Sequence, residues 1–324
     1  MVRFAIIGTN FITDRLLNAA KQVSGFKLQA VYSRTEERAR EYAALKGIET
    51  VYTNLDALCA DDDIDAVYVA SPNAFHEEQS IKLLKAGKHV LCEKPIAPDS
   101  AALDNMLRAA RESGRVLMEA MMPAHTPAWD TICSLIPRLG VLRHATLAFC
   151  QYSSRYDRFK QGIFENAFNP ALKNGALMDL GVYCLYAMWR MFGMPNALTG
   201  MSVMLRGGID GQGSLIASYG DMQANAVFSK IVQGTAPSQI LGESGSLMFD
   251  SVSIPRTATL TPLGGEAEHF DLSNPLEDMA YELKSFIYQV ENGRMDEAIM
   301  RGSVETVSLL EWSREILGLA FRAR

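Results

Sequence analysis

The first 120 residues alternate short apolar runs with segments of helical periodicity. The first four apolar runs end at Gly8, Ser33, Ser71 and Glu93, and a fifth ends at Ala120. Between them the pattern predicts helices over 11–23, 35–45, 73–87 and 100–113, with Asn73 as the cap of the third. Strands that alternate with helices are typical of βαβ units and a parallel sheet. We therefore predict an α/β domain over residues 1–120.

The pattern of apolar and polar residues changes after Ala120. The pattern predicts a helix over 126–139, a strand near 143–151, an irregular stretch over 153–174 and an apolar helix over 175–194. Alternating runs separated by glycine-containing turns then fill residues 198–270, which indicates a mostly antiparallel sheet. Two helices, over 275–291 and 303–317, end the chain. We predict a second domain of the α+β class over residues 121–324.

Composition narrows the range of partners. The 324 residues carry 31 Lys and Arg against 37 Asp and Glu, a net charge of -6, without any run of basic residues. We therefore predict no nucleic-acid partner and no anionic membrane partner. The apolar stretch over 175–194 contains Asp179 and Arg190, so a buried helix is predicted there rather than a membrane span.

Cysteine and histidine usage predicts a metal-free protein of a reducing compartment. The five cysteines and five histidines are scattered, with no C-x-x-C pair and no H-x-x-x-H spacing. Residues 2–8 form a strand-like run at the start of the chain, which leaves no room for a secretory signal. The predicted location is the cytoplasm.

The turn after the first strand is the first candidate for cofactor chemistry. A parallel sheet binds ligands outside the carboxyl ends of its strands. The turn reads Gly8-Thr9-Asn10-Phe11-Ile12-Thr13 and keeps only the first glycine of a dinucleotide-binding fingerprint. Asn10 tolerates positive φ and Thr13 is small, so a phosphate is still able to meet the helix N-terminus. An ordinary strand-helix turn is the alternative.

The end of the second strand favours NADP over NAD. It reads Tyr32-Ser33-Arg34, without the carboxylate that would accept a hydrogen bond from a free 2′-hydroxyl. A hydroxyl followed by a guanidinium suits a 2′-phosphate. In the alternative interpretation, Ser33 and Arg34 open a solvated helix that Thr35 caps, and NAD is the cofactor.

Two further segments carry the most specific signal. They read Ser71-Pro72-Asn73-Ala74-Phe75-His76 and Cys92-Glu93-Lys94-Pro95. This string resembles the Gfo/Idh/MocA oxidoreductases, which include glucose-fructose oxidoreductase and inositol dehydrogenase and whose hallmark is Glu-Lys-Pro. The segment from Gly175 to Tyr183 is similar to the substrate-domain motif of that family, although Tyr183 stands where histidine is more common. The resemblance covers nearly the whole chain.

The resemblance implies a fold and a reaction. The fold is an N-terminal Rossmann domain that binds NAD(P), followed by a mostly antiparallel open-sheet α+β domain. The reaction is hydride transfer between nicotinamide and a secondary alcohol or ketone of a sugar, polyol or trans-diol. A homodimer or homotetramer through the open face of the second-domain sheet is also implied. The same resemblance leaves two alternatives: a dinucleotide-binding regulator without turnover, and an enzyme that retains its nicotinamide and uses two substrates.

The predicted catalytic residues are Lys94, Tyr183 and Asp179. Pro95 restricts the backbone of Lys94, and a partly desolvated lysine beside a nicotinamide can polarise a carbonyl or hydroxyl. Asp179 and Tyr183 lie four apart on a predicted helix and share one face. Tyr183 exchanges a proton at neutral pH only if nearby positive charge lowers its pKa from about 10. A core aromatic with a satisfied hydroxyl is the alternative for Tyr183.

The remaining predictions concern binding. His76 is assigned a place at the cofactor rather than a catalytic role. The stretch 153–174, with Arg155, Tyr156, Arg158, Asn166 and Asn169, is a candidate source of substrate hydrogen bonds. The predicted cofactor-binding residues are Gly8, Thr9, Asn10, Phe11, Ile12, Ser33, Arg34, Arg38, Ser71, Pro72, Asn73, His76, Glu93 and Lys94.

Overall fold

The computed structural model describes residues 1–319, and the first part of the chain alternates strands and helices. The strands are β1 (Val2–Ile7), β2 (Phe26–Tyr32), β3 (Thr50–Tyr52), β4 (Ala66–Val69), β5 (His89–Glu93) and β6 (Leu117–Ala120). The helices are α1 (Phe11–Ala20), α2 (Glu36–Lys46), α3 (Leu55–Cys59), α4 (His76–Lys85) and α5 (Ser100–Ser113).

These strands form one parallel sheet with the order β3-β2-β1-β4-β5-β6. The strands β4, β5 and β6 are buried along their whole length, as expected where both faces of a sheet are covered. The order of the connections reverses between β1 and β4. At such a switch point the carboxyl ends of the strands frame a crevice for a ligand.

The second part of the chain is rich in strands. Its elements are α6 (Pro127–Leu135), β7 (Leu142–Cys150), α7 (Tyr156–Lys160), a π-helical turn (Leu177–Gly181), α8 (Val182–Phe192), β8 (Ala197–Leu205), β9 (Ile209–Ser218), β10 (Gln223–Ser229), β11 (Ser238–Gly242), β12 (Gly245–Phe249), β13 (Thr257–Pro262), β14 (Glu268–Asp271), α9 (Asp278–Glu291) and α10 (Glu297–Leu317).

The second sheet has the order β14-β13-β12-β11-β7-β10-β9-β8. Its neighbouring strands are antiparallel except for β7 and β10, which are parallel. The predicted fold class, a parallel α/β domain followed by a mostly antiparallel α+β domain, is confirmed.

The two faces of the second sheet differ. One face is apolar and buried, and α8 packs on its strands β7 and β10. The opposite face carries exposed large apolar side chains, at Met201, Ile216 and Met248. The strand registers place all three on that face. This face is therefore open in the single chain.

Contacts divide the chain into two compact units. The first comprises Met1–His125 with Leu276–Ser303, and the second comprises Thr126–Pro275 with the described residues from Val304 onward. The helix α9 joins the first unit because it packs on α1, and its Phe286 ring centroid lies 5.7 Å from that of Phe4. The sequence-based division had placed this helix in the domain 121–324.

Some short elements were not predicted, or were placed differently, by the sequence pattern. The three-residue strand β3 and the five-residue helix α3 are too short to show a periodicity. The predicted cap at Asn73 is wrong, because Asn73–Phe75 forms a 3₁₀ turn and α4 begins only at His76. Similarly, α6 ends at Leu135 and continues as a 3₁₀ turn over Ile136–Leu139.

Candidate active site

Gly8 fixes the turn between β1 and α1. Its φ is 109°, and a Cβ at this position would lie 2.5 Å from the carbonyl oxygen of Ala70. Only glycine combines this backbone conformation with so close an approach to the chain after β4. Thr13 is fully buried and its Oγ1 donates to the carbonyl of Gly8 at 3.0 Å. The turn therefore holds the N-terminus of α1 close to the switch point.

Asn10 caps α1. Its Oδ1 accepts hydrogen bonds from the N–H groups of Ile12 at 3.1 Å and Thr13 at 3.3 Å, and its Nδ2 donates to the carbonyl of Ala70 at 3.2 Å. Its φ is -111°, so Asn10 does not use its tolerance of positive φ in this turn. An asparagine at this position stabilises the helix start instead.

Two arginines lie beside this turn. Arg34 follows β2 and is exposed, whereas Arg38 bonds to Thr9, with Nε at 3.0 Å from Oγ1 and Nη2 at 2.8 Å from the carbonyl oxygen. Thr35 occupies the N-cap position of α2 but makes no side-chain cap hydrogen bond. Capping of α2 therefore gives no reason for the sequence Ser33-Arg34-Thr35.

His76 links the ends of two strands. It is fully buried, with Nε2 2.9 Å from the carbonyl oxygen of Ser71 and Nδ1 2.9 Å from that of Pro95. Burial lowers the pKa of His76, although the two carbonyl oxygens favour the protonated ring. The imidazole therefore ties the chain after β4 to the loop that carries Lys94.

Glu93 points into the protein interior. One of its oxygens accepts a hydrogen bond from the hydroxyl of Tyr68, and the other accepts from the backbone N–H of Lys94 at 3.2 Å. Burial raises the pKa of Glu93 and raises that of Tyr68 well above its ordinary value. Tyr68 lies within a continuous apolar run of β4, which gave no sequence signal of this role.

Two further carboxyl groups are buried near Glu93. Glu119, at the end of β6, accepts from the N–H of Ile96 at 2.9 Å. Within the described residues, neither carboxyl oxygen of Glu282 on α9 has a hydrogen-bond partner. Burial raises the pKa of Glu119 and Glu282, and the charge of Glu93 raises both further. The carboxyl groups of Glu93, Glu119 and Glu282 are therefore buried close enough to influence one another.

Lys94 follows β5 directly and is half-buried. Burial dominates the pKa changes of Glu93 and Glu119, and the Lys94 ammonium opposes burial at both. The Lys94–Pro95 peptide bond is cis. The structure thus holds a lysine charge at the carboxyl edge of the parallel sheet.

In the second unit, Asp210 supports the start of the apolar helix. Gly175 has a φ of 145°, and a Cβ there would clash with the Asp210 carboxylate. Asp210 Oδ2 accepts from the N–H of Leu177 at 2.7 Å. Burial raises the pKa of Asp210. The glycine therefore allows a strand carboxylate to cap the turn that carries Asp179.

Asp179 lies in a π-helical turn, and Tyr183 lies in the first turn of α8. Such turns are rare and frequently occur at functional sites. Asp179 Oδ2 pairs with Nζ of Lys230 at 2.9 Å. Tyr183 is 7% exposed, and its ring centroid lies 5.6 Å from that of Phe149. Lys230 is not among the residues predicted from the sequence, although its position inside the apolar run 226–232 indicates a buried lysine.

The segment 153–174 is more ordered than predicted. It contains α7 and two 3₁₀ turns, Asn166–Phe168 and Pro170–Leu172. Arg158 pairs with Glu165 at 2.9 Å, and the ring centroids of Tyr156 and Phe168 are 5.7 Å apart. Arg158 and Tyr156, which are candidate substrate-binding residues, therefore also make contacts within the segment.

Residues 1–319 contain no group of three or more His, Cys, Asp or Glu side chains arranged to hold a metal ion. Over the same range, no helix combines the length and the apolar character needed to cross a bilayer. The apolar stretch over 175–194 forms the π-helical turn and α8 instead.

Comparison with known proteins places the chain in one family. Residues 2–121 match the family model described as oxidoreductase family, NAD-binding Rossmann fold, and residues 137–248 match the GFO/IDH/MocA C-terminal domain. A scyllo-inositol 2-dehydrogenase (NADP(+)) of Bacillus subtilis strain 168 is 40% identical over 325 residues, covering 100% of this chain and 99% of that protein. The chain belongs to the Gfo/Idh/MocA oxidoreductase family.

Two more proteins are similar to this Gfo/Idh/MocA oxidoreductase over most of their length. Trans-1,2-dihydrobenzene-1,2-diol dehydrogenase of Xenopus tropicalis is 26% identical over 282 residues, covering 86% of this chain and 82% of that protein. The crystal structure of a 3-ketoreductase from Actinomadura kijaniata, in complex with NADP and TDP-benzene, has a TM-score of 0.87 at 25% identity and covers 98% of each chain. Family membership confirms the predicted resemblance and the predicted enzyme class.

Within this Gfo/Idh/MocA oxidoreductase, the predicted residues divide between the two units. Asp179 and Tyr183 belong to the second unit. The first unit contains the predicted cofactor-binding residues, namely Gly8, Thr9, Asn10, Phe11, Ile12, Ser33, Arg34, Arg38, Ser71, Pro72, Asn73, His76, Glu93 and Lys94. Buried polar residues that contact or surround the predicted ones are Tyr68, Glu119 and Glu282 in the first unit and Asp210 and Lys230 in the second.

Proposed function

We propose that this oxidoreductase interconverts a secondary alcohol and a ketone of a polyol, sugar or trans-diol. The observation that carries the proposal is the half-buried Lys94 at the carboxyl edge of the parallel sheet, with only β4 between its strand and the strand before Gly8. The names of an inositol dehydrogenase and a dihydrodiol dehydrogenase among the relatives support the substrate class.

The cofactor is NADP. The Bacillus relative is named as NADP(+)-dependent, and the Actinomadura ketoreductase was crystallised with NADP, which confirms the cofactor predicted from the sequence. Gly8 and the N-terminus of α1 suit a pyrophosphate, because the close turn leads directly into a positive helix end. Ser33 and the exposed Arg34 are proposed to hold the 2′-phosphate. When bound, NADP supplies or accepts the hydride.

Three side chains are proposed to serve the reacting oxygen of the substrate. Lys94 donates a hydrogen bond to that oxygen and stabilises the negative charge that develops on it. Tyr183 exchanges the proton of the hydroxyl, and Asp179 accepts a hydrogen bond that orients the substrate. In this proposal residues 1–120 serve the cofactor and residues 121–324 serve the substrate.

The proposed assembly is a homodimer or homotetramer through the open face of the second sheet. Exposed apolar patches of this kind usually mark interaction sites, and Met201, Ile216 and Met248 lie on one face. The proposed compartment is the cytoplasm, since all five cysteines are free thiols, as is usual in reducing compartments.

Parallel titrations with NADPH and NADH, read by nicotinamide fluorescence, test the cofactor part of the proposal. We expect at least about tenfold tighter binding of NADPH, equivalent to about 1.4 kcal/mol. Oxidation by NADP⁺ of scyllo-inositol, D-xylose, D-glucose and trans-1,2-cyclohexanediol then tests the substrate class, and at least one is expected to react.

Other results would redirect the proposal. NADPH binding without turnover of any compound in a wider polyol and ketone panel would favour a cofactor-binding regulator. Nucleotide that stays bound through gel filtration would favour an enzyme that regenerates its cofactor with two substrates. Binding of neither nucleotide would contradict the dehydrogenase function itself.

A further inference from the structure

Lys230 is a buried charge that directly contacts Asp179. It follows β10, its side chain is 2% exposed, and its Nζ lies 2.9 Å from Oδ2 of Asp179. The same Nζ donates to the carbonyl oxygen of Ala167 at 2.8 Å and lies 5.0 Å from the ring centroid of Phe168. Lysine is almost never fully buried unless it is paired, because an isolated ammonium is costly to remove from water.

The partners of Lys230 come from separate parts of the second unit. Asp179 lies in the π-helical turn before α8, and Ala167 and Phe168 belong to the 3₁₀ turn Asn166–Phe168 of the candidate substrate segment. The charge of Lys230 also acts on Asp210 of β9. Burial raises the pKa of Asp210, and both the N–H of Leu177 and the Lys230 charge oppose that rise. One ammonium therefore connects the turn of Asp179 with the segment 153–174.

The geometry fixes Asp179 without removing it from solvent. The Asp179 side chain keeps 36% of its surface exposed, whereas the Lys230 side chain keeps 2%. With 2% of its side chain exposed, Lys230 offers almost no surface of its own to a substrate. Its charge nevertheless favours the ionised form of the neighbouring carboxylate, and its hydrogen bond sets the direction of that carboxylate.

We propose that Lys230 is a positioning residue that orients the Asp179 carboxylate and joins it to the 166–168 turn, so that both engage the substrate in one geometry. The inference rests on the proposed function, in which Asp179 orients the substrate. Lys230 acts through Asp179 and has no contact of its own with the reacting atoms. Removing its charge therefore impairs the same step that removing the Asp179 carboxylate impairs.

A double-mutant cycle tests this dependence. The proteins are wild type, Lys230→Met, Asp179→Asn and the double variant, each assayed for kcat and KM with NADP⁺ and the best polyol substrate of the wild type. Lys88→Met is the matched control. Lys88 is also a buried lysine that donates to a backbone carbonyl, that of Asp61 at 2.6 Å, but it lies before β5 at the opposite end of that strand from Lys94.

The proposal predicts a non-additive cycle. Lys230→Met should lower kcat/KM at least tenfold, with a higher KM for the polyol and an unchanged Kd for NADPH. In the double variant, kcat/KM should be less than threefold below that of Asp179→Asn, because the carboxylate that Lys230 orients is already absent. Lys88→Met should stay within threefold of wild type. Additive losses, or a Lys230→Met enzyme within threefold of wild type, would overturn the proposal.

Two further comparisons keep the test decisive if a variant does not fold or if no substrate is found. If Lys230→Met does not fold because it leaves a carboxylate unpaired, the comparison of Asp179→Asn with the double variant still decides, since neither of these proteins has a carboxylate at position 179. If the wild type turns over no substrate, the proposed function fails separately. Urea unfolding of the four proteins then decides, and a coupling below threefold in the unfolding constant would show that Lys230 does not hold Asp179.

Discussion

Arg38 joins α2 to the turn after β1 through two hydrogen bonds to Thr9, from Nε to Oγ1 at 3.0 Å and from Nη2 to the carbonyl oxygen at 2.8 Å. Two of the three guanidinium nitrogens of Arg38 are therefore already hydrogen-bonded within the protein. Arg34 is exposed, and in the described part of the chain no residue bonds to it. We therefore propose different roles for the two arginines: Arg38 supports the turn after β1, and Arg34 binds the 2′-phosphate of the cofactor.

A matched pair of variants separates these roles. Arg34→Ala should weaken NADPH binding about tenfold or more and leave NADH binding within twofold, because only NADPH carries the 2′-phosphate. Arg38→Met should weaken both nucleotides equally, since it loosens the turn they share. Fluorescence titration of each variant measures this, with Arg40→Met on the same helix as the control. Equal loss of both nucleotides in Arg34→Ala would assign the 2′-phosphate elsewhere.

Lys94→Ala should remove turnover and leave cofactor binding intact. A positioned proton-transfer or polarising group contributes about 100-fold or more, so kcat should fall by at least that factor. The Kd for NADPH should change less than threefold. Lys85→Ala, at an exposed position at the end of α4, is the control and should match wild type. A Lys94→Ala enzyme that keeps more than about a tenth of the wild-type kcat excludes the proposed role.

Tyr183→Phe should separate the hydroxyl from the ring. The ring packs near Phe149 at a centroid distance of 5.6 Å, so the variant should fold with a Tm close to that of wild type. Loss of the proton-exchanging hydroxyl should lower kcat about 100-fold. Steady-state kinetics and calorimetry check the two parts. Full activity with an unchanged Tm would leave Tyr183 as a core aromatic residue.

Met201→Glu should break the proposed assembly. Met201 is 81% exposed on β8, and a carboxylate placed there would resist burial against a second copy of the open sheet face. Sedimentation velocity should show the 35.7 kDa monomer for this variant and a multiple of that mass for wild type. Leu263→Glu is the control, because Leu263 is equally exposed at 81% but lies after β13. A monomeric wild type would contradict the assembly.

The edge of the parallel sheet that is proposed to bind the cofactor could be predicted from the sequence, because strand direction alone decides which residues lie there. Once the apolar runs were interpreted as parallel strands, Gly8, Ser33, Ser71 and Glu93 had to end at one edge. Tolerance of positive φ, the property of Asn10 noted from the sequence, is only one use of an asparagine at such a turn. Its position immediately before α1 equally indicates a helix cap, and the structure shows that use.

The partners of Lys230 and the burial of Glu119 and Glu282 were beyond the same reasoning. Burial of a charge depends on which distant segments surround it, and Lys230 is paired by groups more than 50 positions away along the chain. Glu282 lies in a helix that the sequence assigned to the second domain, whereas contacts with α1 place it in the first unit. Local periodicity carries no information about such long-range packing.

Glu282 gives the stability of the protein a predictable pH dependence. Its pKa in the folded protein is raised well above the ordinary value, mainly by burial and also by the Glu93 charge. In the unfolded chain a glutamate titrates near about 4.3. Between these two values the folded state binds one proton more than the unfolded state. The free energy of unfolding therefore falls as the pH rises through this window.

Glu282→Gln should remove that loss, because the amide keeps the shape of the side chain and does not titrate. Each unit by which the folded pKa is raised corresponds to about 1.4 kcal/mol. Between pH 5 and pH 8 the variant should therefore lose less stability than wild type. Urea unfolding at both pH values measures the difference, with Glu291→Gln as an exposed control on the same helix. If wild type and Glu282→Gln share one pH dependence, Glu282 is already ionised in the folded protein, and a cation must then compensate its charge.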